Sequence, residues 1–324
     1  MNWKSFLIFK IPVSIIFLTL LIEGLAFLLS DTPKLRHPLD RLAANIADLS
    51  KNAHTVLLGD SVTQDVIWSY EISPKKSLVN LTTNLASGLI GSHLLLMRYI
   101  RIHKSTPTRV VIASSPEFFS YEPGNHATDI YLRTVFEKPS EIAELRASGL
   151  AVKRTNWKPS ILRFERSISD RLASLMFSRK NVSQKIPLAA VLPKNTSQQQ
   201  DTQASAIQLA ERKKSDLTIS QSALYSVKRL CALSKKYEFE LLFVWAPIPR
   251  SVLYAWQAEK KLEQLTDHLI DVTKTRCHKS TILDTNKKLR FSDYAFRDSD
   301  HLKRPYWTMV YAHVLKALLF GENG

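Results

Sequence analysis

The chain is short of the residues that define several protein classes. Its 2 cysteines in 324 residues exclude a disulfide-stapled scaffold and a four-cysteine zinc knuckle. Its 8 glycines form no phosphate-cradling loop, and no HExxH, EF-hand loop or CxxC occurs, so neither metal nor cofactor is expected. Long apolar runs are absent save one, which excludes a polytopic membrane protein. Acidic side chains are outnumbered, 29 Asp+Glu against 45 Lys+Arg, for a formal net charge of +16. What is present is a hydrophobic fraction of 45% with 9% aromatics, enough to fill a core and too much for wholesale disorder.

The one long apolar run, residues 11–29, reads IPVSIIFLTLLIEGLAFLL with Glu23 as its only charge. As a helix it is about 28 Å long, close to the ~30 Å hydrocarbon core of a bilayer. Lys4 and Lys10 precede it, so the positive-inside rule places residues 1–10 in the cytoplasm and the chain beyond residue 29 across the membrane. A cleaved signal peptide has a shorter apolar region and an A-x-A-like exit; the exit here is FLLSDTPK, so an uncleaved signal anchor is expected. Glu23 either meets a partner helix or sits protonated near headgroups. The basic excess has no helix-turn-helix, RNA-recognition or zinc-finger signature beside it, so nucleic acid is not an expected partner. Anionic headgroups or an acidic polysaccharide fit better, and a solvated basic surface without a ligand stays equally open.

After a polar stalk with a short helix over residues 30–50, apolar strand-like runs alternate with helical stretches, which predicts an α/β fold with a parallel sheet. The strand runs are HTVLL (54–58), SLVNL (77–81), RVVIA (109–113), ELLFVWA (240–246) and a short one at 281–283. Helices are expected over 89–103, 220–237, 255–276 and 305–319. Residues 121–217 break this rhythm and read as an insertion of basic helical pieces around the polar tract NTSQQQDTQAS. An insertion at that point lies above the strand C-termini, where ligands bind. It is either a cap over a site or a surface ornament.

Two short motifs carry chemistry. Gly59-Asp60-Ser61 comes directly after the first strand run. A serine on a strand-to-helix turn presents its hydroxyl at the sheet edge, beside backbone N–H groups suited to an oxyanion. Near the other end of the chain, Asp298-Ser299-Asp300-His301 sets a carboxylate three residues before an imidazole, so that in a turn it can reach Nδ1 and orient the ring. Each motif is common alone; the pair at opposite ends of an α/β chain is much rarer.

These residues resemble the SGNH, or GDSL-type, hydrolase superfamily. Ser61 matches the first-block nucleophile, and Asp298 and His301 match the last block. Asn84-Leu-Ala-Ser-Gly88 looks like the second block, whose glycine N–H joins the serine N–H in the oxyanion hole; Gly88 fills that role, with Gly91 as the alternative. The resemblance covers residues 54 to 324 except the insertion, and it implies a flavodoxin-like three-layer parallel sheet over residues 51–324. One block departs. Where the family has Gly-x-Asn-Asp after the third strand, this chain reads Ala113-Ser114-Ser115-Pro116-Glu117, and Ser115 is the expected stand-in for the asparagine donor.

The layout is similar to that of membrane-tethered SGNH proteins of bacterial envelope polysaccharide modification, such as alginate O-acetyltransferases. That resemblance implies acyl transfer from an ester donor to a glycan hydroxyl or to water. It also implies a single-pass location in the bacterial inner membrane, with the domain periplasmic or extracellular, and leaves room for an integral-membrane acyltransferase partner. The alternative it leaves is a non-catalytic glycan-binding or scaffold protein. Trp245, Tyr254 and Trp256 flank the fourth strand's exit and either stack on sugar rings or pack the core edge; Arg250 either holds an anionic group or is a solvated loop charge. Cys231 and Cys277 could pair in an oxidising compartment, but each lies in or beside a helical stretch, and they read rather as two free thiols.

Overall fold

The computed structural model describes residues 10, 12–18, 20–21, 42, 46, 53–71, 78–103, 106–128, 132–133, 135–152, 186–187, 204–287 and 289–320. The chain divides into two compact units, Met1–Asp40 with Lys153–Gln184 and Arg41–Val152 with Lys185–Gly324. In the first, residues 12–18, 20 and 21 are helical. The rest of the expected span 11–29 lies outside the described residues, and among the described residues no helix is long and apolar enough to cross a membrane. In the second unit, Leu42 and Ile46 are buried at 3% and 1% exposure, so core residues begin inside the segment expected to be a stalk.

The second unit is built on five parallel strands: β1 (Thr55–Gly59), β2 (Leu78–Asn80), β3 (Arg109–Ser114), β4 (Glu240–Trp245) and β5 (Lys279–Asp284). Their order across the sheet is β2-β1-β3-β4-β5, the doubly wound order of flavodoxin-like folds. All five expected strands are therefore present. TVLLG, RVVIAS and ELLFVW are near-continuous apolar runs because helices cover both faces of a parallel sheet, and only the first residues of β3 and β4 escape burial. β5 lies at the edge and is half-buried or exposed along its length. Tyr70–Glu71 and Ile186–Pro187 pair as a separate two-stranded parallel ribbon.

Around the sheet run α1 (Ser61–Ser69), α2 (Gly88–Ile102), α3 (Pro139–Ala147), α4 (Ala206–Lys213), α5 (Gln221–Tyr237), α6 (Arg250–Ala258), α7 (Lys261–Lys274) and α8 (Tyr306–Phe320). β2 and β3 flank β1 on opposite sides, so two right-handed crossovers put α1 and α2 on opposite faces of the sheet. α1 packs against α8, and α2 against α5. The helix expected over 255–276 is two, α6 and α7, because Lys260 takes a left-handed conformation (φ 56°) between them. The break lets Trp256 of one and Leu262, Leu265 and Leu269 of the other all face inward.

Two further expectations change. Cys231 on α5 and Cys277 after α7 form a disulfide rather than two free thiols, because α5 and α7 pack side by side and bring the two positions together. The described parts of the insertion are also not all alike. α3 is pinned to the α2/α5 face: Arg98 of α2 grips Glu141 through Nε and Nη2 at 2.7 and 2.8 Å, while Tyr225 and Arg229 of α5 bond Glu144. α4, capped by Ser205 with Gln208 in a reciprocal capping box, instead reaches the loop before α8. Residues 195–203 of the polar tract lie outside the described residues.

Candidate active site

The site begins where β1 becomes α1. At Gly59 the backbone turns with φ 152°, and a side chain there would overlap the Ala113 carbonyl of the neighbouring strand; only glycine allows this approach. Asp60 then acts as the helix cap, its Oδ1 accepting the Val62 N–H at 3.1 Å. Ser61 is the first residue of α1 and is partly exposed at the C-terminal edge of the sheet. Its N–H, like others at a helix start, has no carbonyl partner among the described residues.

The partners of Ser61 arrive from a tight hairpin before α8. Phe296 and Leu302 form an antiparallel bridge, and the Arg297 N–H donates to the His301 carbonyl at 2.9 Å. Inside this turn Asp298 Oδ1 accepts the N–H groups of Asp300 and His301 at 2.8 and 2.7 Å. The same carboxylate lies 3.0 Å (Oδ2) and 3.1 Å (Oδ1) from His301 Nδ1. His301 Nε2 is 3.0 Å from Ser61 Oγ, across 240 residues of sequence. Ser61, Asp298 and His301 are thus brought together in the expected order. Burial raises the Asp298 carboxyl, but the His301 bonds outweigh it and hold it at about 2. The carboxylate is therefore ionised at neutral pH, Nδ1 carries the proton it accepts, and Nε2 is left to receive the Ser61 hydroxyl proton.

Ionic contacts lock the hairpin to α1 and α4. Asp65, one turn along α1 from Ser61, pairs with Arg297 (3.3 Å) and with Arg304, whose Nε is 3.1 Å away. From α4, Arg212 is 5% exposed and binds Glu117 (2.5 Å to Oε1, 3.1 Å to Oε2), Asp300 (3.1 Å) and the Ser299 carbonyl. Its guanidinium also lies over the Trp256 ring, 5.3 Å from the centroid. Burial lowers the pKa of Arg212, but Glu117 and Asp300 more than reverse that. Burial also raises Asp300. These anchoring residues escaped the sequence reading because Arg212 meets partners 95 and 87 positions away, with no local pattern to mark them.

The other expected site residues fare differently. Both donors of Ser115 are spent on Asp60 Oδ2, the N–H at 2.8 Å and the hydroxyl at 2.7 Å, so Ser115 does not stand in as an oxyanion donor. Burial raises the Asp60 carboxyl to about 6 against the pull of these two bonds. The Gly88 N–H donates to the Leu85 carbonyl. The glycine itself is required by its φ of 57° and by Pro123, whose Cγ would lie 2.8 Å from a side chain. Trp245 is no sugar platform: it is 1% exposed, packs edge-on against Phe119 and donates Nε1–H to Thr266. The last residue of β4 points inward because of the strand's register. Tyr254 is 48% exposed on α6; Arg250 is exposed, with Nη2 reaching the Arg290 carbonyl at 3.4 Å. Neither bonds the triad. Two aromatics the sequence reading passed over, Tyr294 and Tyr306, are 61% and 51% exposed on either side of the hairpin, the first beneath the Lys303 ammonium.

Among the described residues no cluster of His, Cys, Asp and Glu could hold a metal ion. Compared with known proteins, the chain matches no family model, and no curated protein is significantly similar to it.

Proposed function

We propose that this protein is a serine-dependent acyl-transfer enzyme of the SGNH type, with Ser61, His301 and Asp298 as its triad. The observation that carries the reading is the continuous pair of contacts from Ser61 Oγ to His301 Nε2 (3.0 Å) and from His301 Nδ1 to Asp298 (3.0 Å). His301 takes the Ser61 proton as Oγ attacks an ester carbonyl, and Asp298 stabilises the imidazolium and fixes its tautomer. The tetrahedral oxyanion is met by the Ser61 N–H at the start of α1. Collapse expels the donor's alkoxide, which takes the proton from His301, and leaves an acyl group on Ser61. A glycan hydroxyl or a water molecule, deprotonated by the same imidazole, then removes it.

The proposal extends to place and partners. Residues 11–29 tether the domain to a bacterial inner membrane with the site on the far side, where an envelope glycan is the acceptor. The Cys231–Cys277 disulfide supports this, since such bonds persist in oxidising compartments. An integral-membrane acyltransferase is the partner that would feed an acyl donor to such a site. A second reading, a non-catalytic glycan-binding scaffold, is favoured by one observation: the donors of Ser115 and Gly88 are already engaged.

A fluorophosphonate probe and p-nitrophenyl acetate turnover, with and without oligosaccharide acceptors, separate the two readings. Labelling and turnover that vanish in Ser61→Ala are expected. Wild-type protein that is folded yet neither labelled nor active would establish the scaffold.

A further inference from the structure

We infer that the side-chain amide of Asn84 is the second oxyanion donor of this site, the place the sequence reading gave to Gly88 and Ser115. The inference rests on Ser61 being the nucleophile. Its basis is register. β1 and β2 pair in parallel with a constant offset, Thr55 beside Leu78 and Leu57 beside Asn80. The ladder continues past the end of β2, through Leu81 N–H to the Leu57 carbonyl and Thr83 N–H to the Gly59 carbonyl, each at 2.8 Å. The Thr83 hydroxyl ties to the same Gly59 carbonyl at 3.2 Å. Asn84 directly follows this last rung, and Ser61 comes two residues after Gly59 as the first residue of α1, so both leave neighbouring strands at the same C-terminal edge. The two strands themselves lie about 4.8 Å apart. On the other flank, β3 pairs with β1 as far as Gly59 beside Ala113, and Ser115 follows two residues on. Each strand flanking β1 therefore carries a polar residue just past its pairing with β1, at the edge where Ser61 stands.

These two residues differ in what they have left to offer. Ser115 has given both donors to Asp60. Asn84 caps the short turn Leu85–Ser87, its Oδ1 accepting the Ser87 N–H at 3.2 Å. That bond identifies the oxygen of the amide and thereby fixes where the NH2 points. Nδ2 has no partner among the described residues, and Asn84 is only half-buried. The turn that Asn84 caps ends at Gly88, whose left-handed backbone leads straight into α2, so the amide is held on a rigid junction between two regular elements. A tetrahedral oxyanion requires fixed, unspent N–H donors at the carbonyl oxygen under attack.

The test uses full-length protein and p-nitrophenyl acetate. Asn84→Asp keeps an oxygen to accept the Ser87 N–H but puts an anion where the donor stood. It is expected to lose about 10²–10³ in kcat with KM changed by no more than about threefold and an unchanged urea midpoint. Asn84→Ala is expected to lose similar activity and some stability, since it also removes the cap. Should Asn84→Asp not fold, Asn84→Ser supplies the readout with the same expected kcat loss. A folded Asn84→Asp or Asn84→Ser that keeps wild-type kcat, while Ser61→Ala is inactive, overturns the Asn84 assignment and leaves the serine mechanism standing. Folded wild-type protein that neither turns over the ester nor reacts with a fluorophosphonate overturns both.

Discussion

At Ser61 and its neighbours, chemistry and stability are divided between carboxylates in opposite environments. Asp298 is held at about 2 by His301, below its unfolded value of about 3.9. Its contribution to stability is therefore complete above pH ~4 and is lost as pH falls toward 2. Asp60 runs the other way: raised to about 6 by burial, it makes the folded state lose stability as pH rises from about 4 to 6. A carbon-13 carboxyl titration should give Asp60 a midpoint near 6, and a midpoint at the ordinary carboxylate value would contradict the buried environment described. Asp298→Asn should lower kcat on p-nitrophenyl acetate by roughly 10⁴, because the imidazole loses its anionic partner and its fixed tautomer; an unchanged kcat would remove Asp298 from the triad. Trp245→Ala should cost about 3–5 kcal/mol in urea unfolding without altering any preference among oligosaccharide acceptors. The serine and the Asp298–His301 pair were legible in sequence because each sits in a short local turn whose geometry its own residues dictate. The orientation of Trp245 and the engagement of Ser115 were not, since they arise from sheet register and from the unused oxygen of Asp60, neither of which neighbouring residues encode.

Among the elements, α4 matters most for its size. It ends the segment that interrupts the β–α rhythm, and its Arg212 clasps Glu117 on one side and the Asp300 carboxylate and Ser299 carbonyl on the other. Part of the insertion is thus a brace for the hairpin that carries His301. Removing the buried guanidinium strands the Glu117 carboxylate, which is 16% exposed, and loss of one partner of such a pair typically costs about 3–5 kcal/mol. Arg212→Met should therefore lower the urea midpoint sharply and reduce kcat, and Arg212→Lys should recover little of either, because one ammonium cannot reproduce the bidentate grip. A near-wild-type midpoint for Arg212→Met would show the cluster to be dispensable. The strands were readable as apolar runs because burial on both faces removes any alternation. The α6–α7 break was not, because Lys260 adopts its left-handed turn with neither glycine nor proline to announce it. Helical periodicity alone continued through it.

For the unit as a whole, two covalent and ionic closures hold distant stretches together. The disulfide spans 46 residues of sequence between α5 and the approach to β5, a loop whose closure restricts the unfolded chain by about 4 kcal/mol in the entropic account. Reduction, or the double change Cys231→Ser and Cys277→Ser, should lower the unfolding midpoint while leaving esterase turnover at moderate temperature intact. Equal midpoints with and without reductant would argue against the bond in solution. The parallel sheet was within reach of the sequence, since five apolar runs alternate with helical stretches, whereas its flavodoxin-like order was implied by the resemblance alone. The pairing of the cysteines was not, because it depends on which helices become neighbours. The other closure is made by Asp65 with Arg297 and Arg304, which binds the first helix after the sheet begins to the last loop before the final helix. A ribosome that has just made Ser61 must add 240 more residues before the imidazole exists. On the proposed mechanism, a nascent chain, or any copy clipped ahead of the hairpin, carries the serine without its base, so the hydroxyl is armed only once the hairpin has been made.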